Sequence, residues 1–264
     1  MGNHKFDEAA LIKNGNYVET VKLEDLAEAY WREENQQTYN NTYFGRIYCP
    51  ECRCARLTLV NNKRCRDLFL RANDAAEHKE CSYLLDTAPF EAYREYIENL
   101  SDEDIRKLLK NLIKKMIRNE TTEFNPLVLR MKSGKCTDDK IQSKDIYNNR
   151  KDLKRQPIKL LTAPLEDDDY GVLKLFYGRV HIKLSEWEKS SSYSLRFRHP
   201  NTNKLIITLN FSNAVKEYLE PTITEYDNTV TNIALASRLE KRKGKDGNTY
   251  SNAHICNSRF LVIG

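Results

Sequence analysis

The spacing of apolar positions along this chain is helical in the middle and alternating in the last third. Phe90, Tyr93, Tyr96, Ile97 and Leu100 recur every three or four residues. So do Ile105, Leu108, Leu109, Leu112, Ile113, Met116 and Ile117. This predicts two consecutive helices. Pro89 suits a first helical position. Ser101 followed by Asp104 resembles a capping box, with Asp in place of the usual Glu. The far face of the second helix carries Arg106, Lys107, Lys110, Lys114, Lys115 and Arg118 and reads as a solvated face.

Beyond residue 165 the period falls to two. Leu173, Leu175 and Tyr177 alternate, then Val180, Ile182 and Leu184 alternate in the opposite phase. Gly178 stands at the change, which predicts a β-bulge. Tyr193, Leu195 and Phe197 predict a second strand. His199 to Asn203 predicts a turn, and Leu205, Ile207, Leu209 and Phe211 a third strand. Ser212 is placed to cap a short helix from Asn213 to Leu219, which Pro221 follows. Two last strands are expected at Thr231–Leu239 and Ile255–Ile263, joined by a basic, glycine-containing loop. Three strands, a helix and two strands resemble the layout of an oligonucleotide/oligosaccharide-binding (OB) barrel.

The first 86 residues are less regular. Val21 to Trp31 reads as a helix, and Gln36 to Thr42 as a polar loop. Arg56 to Val60 reads as a strand ending at Asn61-Asn62, with Leu68 to Arg71 as its return. Residues 119–156 show little periodicity and read as an extended linker. The fold class expected is α+β: a small cysteine- and histidine-bearing module over 1–86, a helical segment over 87–120, a linker over 121–164 and a five-stranded OB-like barrel over 165–264.

Charge sharpens this division. The net charge of +5 is the balance of −4 over residues 1–100, +6 over 101–156 and +3 over 157–264. A basic excess that starts after the first module suggests a polyanionic partner. No run of about 18 apolar residues occurs, so no helical membrane span is expected. The seven cysteines are an odd number and include two close-spaced metal-type pairs, which fits a reducing cytoplasm better than a disulfide framework.

Those pairs carry the clearest chemistry. Cys49-Pro-Glu-Cys52 and His78-Lys-Glu-Cys81 each set two metal-binding side chains three residues apart. Twenty-five residues lie between the halves, enough for a hairpin that brings them together. A Cys₃His set suits tetrahedral zinc and leaves no open position, so the ion would be structural. Cys54 and Cys65 are spare thiols nearby, and Cys65 could replace His78 in another register.

The run Tyr48-Cys49-Pro50-Glu51-Cys52, then Leu57-Thr58-Leu59-Val60, Leu68-Phe69-Leu70-Arg71 and His78-Lys79-Glu80-Cys81 resembles the N-terminal zinc finger of CoiA-type competence proteins. It covers about residues 43–85. It departs from that family at Arg71 and Ala72, which stand where a histidine often follows the aromatic. The resemblance implies zinc and an association with bacterial DNA processing or phage defence. No nuclease core aligns beyond it.

An OB barrel grips single strands on the face of its second and third strands and between its flanking loops. The expected contacts here are Arg179 and His181 on the first strand, and Arg196 and Arg198 on the second. Around the last loop they are Arg238, Lys241, Arg242, Lys243, Lys245 and Tyr250. The cations would follow phosphates, and the Tyr and His rings could stack on bases. The function expected is non-enzymatic single-stranded DNA or RNA binding. An adaptor that docks a nuclease or helicase through its barrel and helices 90–118 is the alternative.

Enzyme readings are weaker. The run Glu166-Asp167-Asp168-Asp169 could hold a divalent metal for a nuclease, with Lys174 nearby, but no second acid–lysine pattern accompanies it. A Cys256–His254 pair would share a strand face only two residues apart. No GxxxxGK[ST], HExxH or GxSxG occurs.

Overall fold

The computed structural model describes residues 6–31, 33–62, 67–78, 81–117, 128–137, 152–186, 192–244, 247–255 and 257–264. These fall into two compact units. One takes the described residues of 1–88, 125–132 and 137–156, the other those of 89–124, 133–136 and 157–264.

The first unit begins with the hairpin β1 (Glu8–Lys13) and β2 (Asn16–Lys22), and α1 (Leu23–Trp31) and α2 (Glu33–Thr42) follow. β3 (Ile47–Tyr48) pairs with β1. The Asn-rich stretch expected as a loop is therefore helical. Its anchor is Tyr39, which is buried and meets the Tyr30 ring edge-on at 5.5 Å. One aromatic among polar residues leaves no periodic signature, yet it suffices to seat the helix on a neighbour. β4 (Leu57–Asn62) and β5 (Asp67–Ala72) form the expected antiparallel hairpin, in register from Leu57 opposite Ala72 to Asn62 opposite Asp67. Phe6, Leu11, Leu26, Ile47, Leu57 and Leu70 build this unit's core.

The segment expected as a linker carries β6 (Val128–Lys132), β7 (Lys135–Thr137) and β8 (Leu153–Arg155), with β6 and β8 antiparallel. Residues 118–127 and 138–151 lie outside the described residues.

The second unit opens with α3 (Phe90–Glu98) and α4 (Asp102–Ile117). Ser101 Oγ accepts from Asp104 N at 3.2 Å and donates to its carboxylate at 2.6 Å, the expected capping pair. β9 (Lys159–Leu160) runs parallel to β10 (Leu173–Glu186). Then come β11 (Ser192–Arg198), β12 (Leu205–Ser212), α5 (Asn213–Tyr226), β13 (Val230–Lys243), β14 (Thr249–Ile255) and β15 (Leu261–Ile263). The pairing runs β10–β11–β12–β14–β13, and β13 returns to β10 and closes a five-stranded barrel. Only the β12–β14 junction in that ring is parallel. This is consistent with the OB-like layout expected. Phe176, Val180, Leu195, Phe197, Leu209, Leu235 and Ile255 fill the interior, and Val215, Leu219 and Ile223 of α5 pack against them.

Three expectations change here. There is no bulge at Gly178: β10 pairs with β13 from Leu173 through His181 without a shift. The phase change has another cause. Inward positions run evenly through Phe176, Gly178, Val180 and Ile182. The outward Leu175 and Tyr177 are buried because α3 and α4 cover that half of the strand. Ala234 and Ala236, opposite Tyr177 and Leu175 on β13, keep this face low enough for a helix to approach. Gly178 instead leaves room for Leu161, whose Cβ would lie 3.4 Å from an added methyl. The register shift occurs at Phe197/Arg198.

Second, α5 does not stop before Pro221 but continues through it to Tyr226, carrying the buried Ile223 into the core. Packing of that turn offsets the lost backbone donor. Ser212 precedes the helix but makes no side-chain capping bond. Third, the last barrel strand is Thr249–Ile255, and 261–263 form a separate strand on β13.

Candidate metal centre and nucleic-acid face

The two close-spaced pairs meet, as their spacing predicts. Cys49 follows β3, and its N donates to Ala55 O at 2.7 Å while its carbonyl accepts from Arg53 N at 2.9 Å. Arg53 takes a positive φ of 56° to close this turn. The β4–β5 hairpin then returns the chain, and a single helical turn at Ala75–Glu77, capped by Asp74, delivers His78. Cys49 Sγ lies 3.7 Å from Cys81 Sγ, and Cys52 Sγ lies 3.4 Å from His78 Nδ1. All four ligand atoms lie within 4.8 Å of one another. Metal–sulfur bonds of about 2.3 Å around a tetrahedron need sulfurs about 3.8 Å apart. The four residues can therefore hold a metal ion.

The electrostatics suit that role. Burial pushes the Cys49 and Cys81 thiols well above their ordinary range. The Cys52 thiol is held far below it by hydrogen bonds from Cys49 and Cys81, with His78 adding to the effect. A cation at the centre would reverse the penalty on the first two.

Sequence reasoning missed a supporting residue, Glu51. It is only 5% exposed and sits between the first two ligands. Its carboxylate accepts from Ser82 N at 2.6 Å and Ser82 Oγ at 2.5 Å. It thus ties the first pair to the residue following Cys81. An acid inside a Cys-x-x-Cys turn with a serine after the last ligand is a weak sequence signal. Phe6 and Tyr83 flank His78, with centroids at 6.1 and 6.4 Å. Cys54 is exposed, and its Sγ bonds to the Cys52 carbonyl, away from the other thiols. Cys65 lies outside the described residues.

The cations expected to contact nucleic acid divide into two groups. Arg238 pairs with Glu98 at 2.7 Å, and Lys241 pairs with Asp167 and lies over the Tyr170 ring. Arg198 donates to the Asn203 carbonyl at 2.9 Å. Arg179, Arg196, Arg242 and Lys243 meet no carboxylate among the described residues. His181 shares the outer face of β10 with Arg179 and stands opposite Arg198. Tyr250 stands opposite Arg242 on β14. Lys245 and Cys256 lie outside the described residues.

The acidic run is bound up in structure. Asp169 is 2% exposed and meets Lys174 at 2.9 Å and Lys159 at 3.2 Å. Glu166 N donates to the same carboxylate. Asp168 stands 3.8 Å from Lys174. Asp167, Asp168 and Asp169 anchor the turn against lysines, and Glu166 caps it, rather than converge on an open metal position.

No protein-family model matches this sequence, and a search of curated proteins finds no relative. No helix among the described residues is long and apolar enough to cross a membrane.

Proposed function

We propose that this protein is a zinc-stabilised, non-enzymatic binder of single-stranded nucleic acid. Zinc is favoured for the metal because three thiolates and one imidazole form a soft set that leaves no coordination position for a substrate. The observation that carries the nucleic-acid reading is the set of cations on the outer face of a closed five-stranded barrel that, among the described residues, have no carboxylate partner.

The CoiA-type resemblance of residues 43–85 supports a role in bacterial DNA or RNA processing or phage defence, and the cysteine pattern supports a cytoplasmic setting. A protein partner at helices 90–118 would meet the charged side of α4 and the exposed Ile117, because Ile105, Leu109, Leu112 and Ile113 are already buried. That favours the nucleic-acid reading over the adaptor.

Fluorescence anisotropy with labelled single-stranded DNA and RNA, across a salt series and with and without magnesium, tests the proposal. Binding should weaken steeply as salt rises, and the probes should stay intact. No binding to either strand would refute it, and magnesium-dependent cleavage would replace it with a nuclease.

A further inference from the structure

We infer that nucleic acid is held through its phosphates by a ladder of cations on β10 and β11, without base stacking. This deepens the proposed function and rests on it. Lys183, which the sequence reading passed over, follows Arg179 and His181 at the same two-residue interval and completes the outer face of β10. In the barrel register Lys183 stands directly opposite Arg196, and His181 directly opposite Arg198. Lys183 is exposed, and neither it nor Arg196 meets a carboxylate among the described residues.

Like charges facing each other across an antiparallel pair destabilise the sheet by themselves. The Lys183–Arg196 rung, with no neutralising acid among the described residues, is an arrangement that a polyanion would relieve. Successive rungs two residues apart repeat at roughly 6.7 Å, a spacing that suits consecutive phosphates. His181 adds a ring nitrogen, Nδ1, that is shielded from solvent and has no hydrogen-bond partner. Among the described residues, the ladder faces no neutralising contact comparable to those at Arg238 and Lys241.

The neighbouring outer positions fix the mode of binding. Continuing the rungs, Arg196 faces Thr208, Thr208 faces Asn252, and Ser194 faces Asn210. Among the described outward residues of this stretch there is no Phe, Tyr or Trp. Tyr250 lies farther along β14, opposite Arg242. Base-stacking proteins need aromatic platforms. Beside the imidazoles of His181 and His254, this face offers cations, hydroxyls and amides, which suit phosphate and sugar oxygens.

The test compares a mixed-sequence DNA single strand, an abasic strand of equal length and inorganic polyphosphate, using the full-length metal-loaded protein. The abasic strand should bind within about threefold of the mixed one if stacking is absent. Lys183→Gln and Arg196→Gln should each weaken both strands and lower the salt slope by about one. Arg259→Gln, at a cation already paired with Glu103, should change little. The ladder also predicts that Lys183→Gln keeps or raises the thermal midpoint without ligand, since it removes a like-charge pair; a merely structural lysine would lower it. A loss of about tenfold or more on removing the bases, a stacking-sized effect, would overturn the ladder while leaving the broader proposal standing. Unchanged binding in both ladder variants would do the same. Binding of polyphosphate alone would overturn the nucleic-acid source, and binding of no probe would overturn both readings.

Discussion

The Glu51 carboxylate takes both hydrogen-bond donors of Ser82, at 2.6 Å from N and 2.5 Å from Oγ. Because Glu51 precedes Cys52 and Ser82 follows Cys81, this contact holds two ligands from different halves of the site. Outer residues of this kind typically change metal affinity by about 10–100-fold. Glu51→Ala and Ser82→Ala should therefore speed metal loss to a chromogenic chelator, with Glu51→Gln intermediate. Release at the wild-type rate in both alanine variants would show that the clamp is incidental.

Metal removal should act locally. Cys49 and Cys81 belong to the same buried cluster as Leu57, Leu59 and Leu70, so an uncompensated site loosens the β4–β5 hairpin. Hydrogen exchange at Leu57–Val60 should accelerate in chelator or in Cys81→Ser, while Leu195 and Leu209 keep their protection. Equal acceleration at both places would mean that the metal supports the whole chain.

Gly178 separates two explanations of a glycine in a strand. Its importance here is the space taken by Leu161, with only 3.4 Å available at an added Cβ. Gly178→Ala should be nearly neutral, whereas Gly178→Val should cost about 1–3 kcal/mol from overpacking. Chemical denaturation of the two variants would decide. Equal large losses would point to backbone conformation instead.

Acid should find a weak point at Asp169. Burial alone would raise its carboxyl, but hydrogen bonds from Lys174 and Glu166 N, with the charges of Lys159 and Lys174, hold it below the ordinary carboxylate range. Its folded value thus lies below the unfolded value of about 3.9. The stabilisation is present above that pH and disappears as pH falls through the folded value. Asp169→Asn should lose up to about 3 kcal/mol at neutral pH and show a flatter acid limb in thermal melts. Parallel pH profiles for mutant and wild type would contradict this.

The metal ligands were readable in the sequence because each pair is local, and the hairpin between them alternates cleanly. The first four barrel strands were readable for the same reason, period two with one buried face, whereas the fifth, Thr249–Ile255, was not. What escaped depends on partners distant in the chain. Nothing near Lys241 announces Asp167, and nothing near Glu51 announces Ser82. The apparent phase slip at Gly178 was a change of cover, since Leu175 and Tyr177 lie under helices written some sixty residues earlier. Helix α2 escaped because its one buried anchor, Tyr39, carries no periodicity.

The single continuous strand β10 is roofed by helices over Leu175 and Tyr177, half-buried at His181 and exposed at Arg179 and Lys183. Its two halves therefore answer to different pressures. Changes at the covered end must be matched by the helices above, whereas charges at the open end can be rewritten singly. Under the proposed function, charge changes at the open end would alter how the ligand is held while the scaffold that presents it stays fixed.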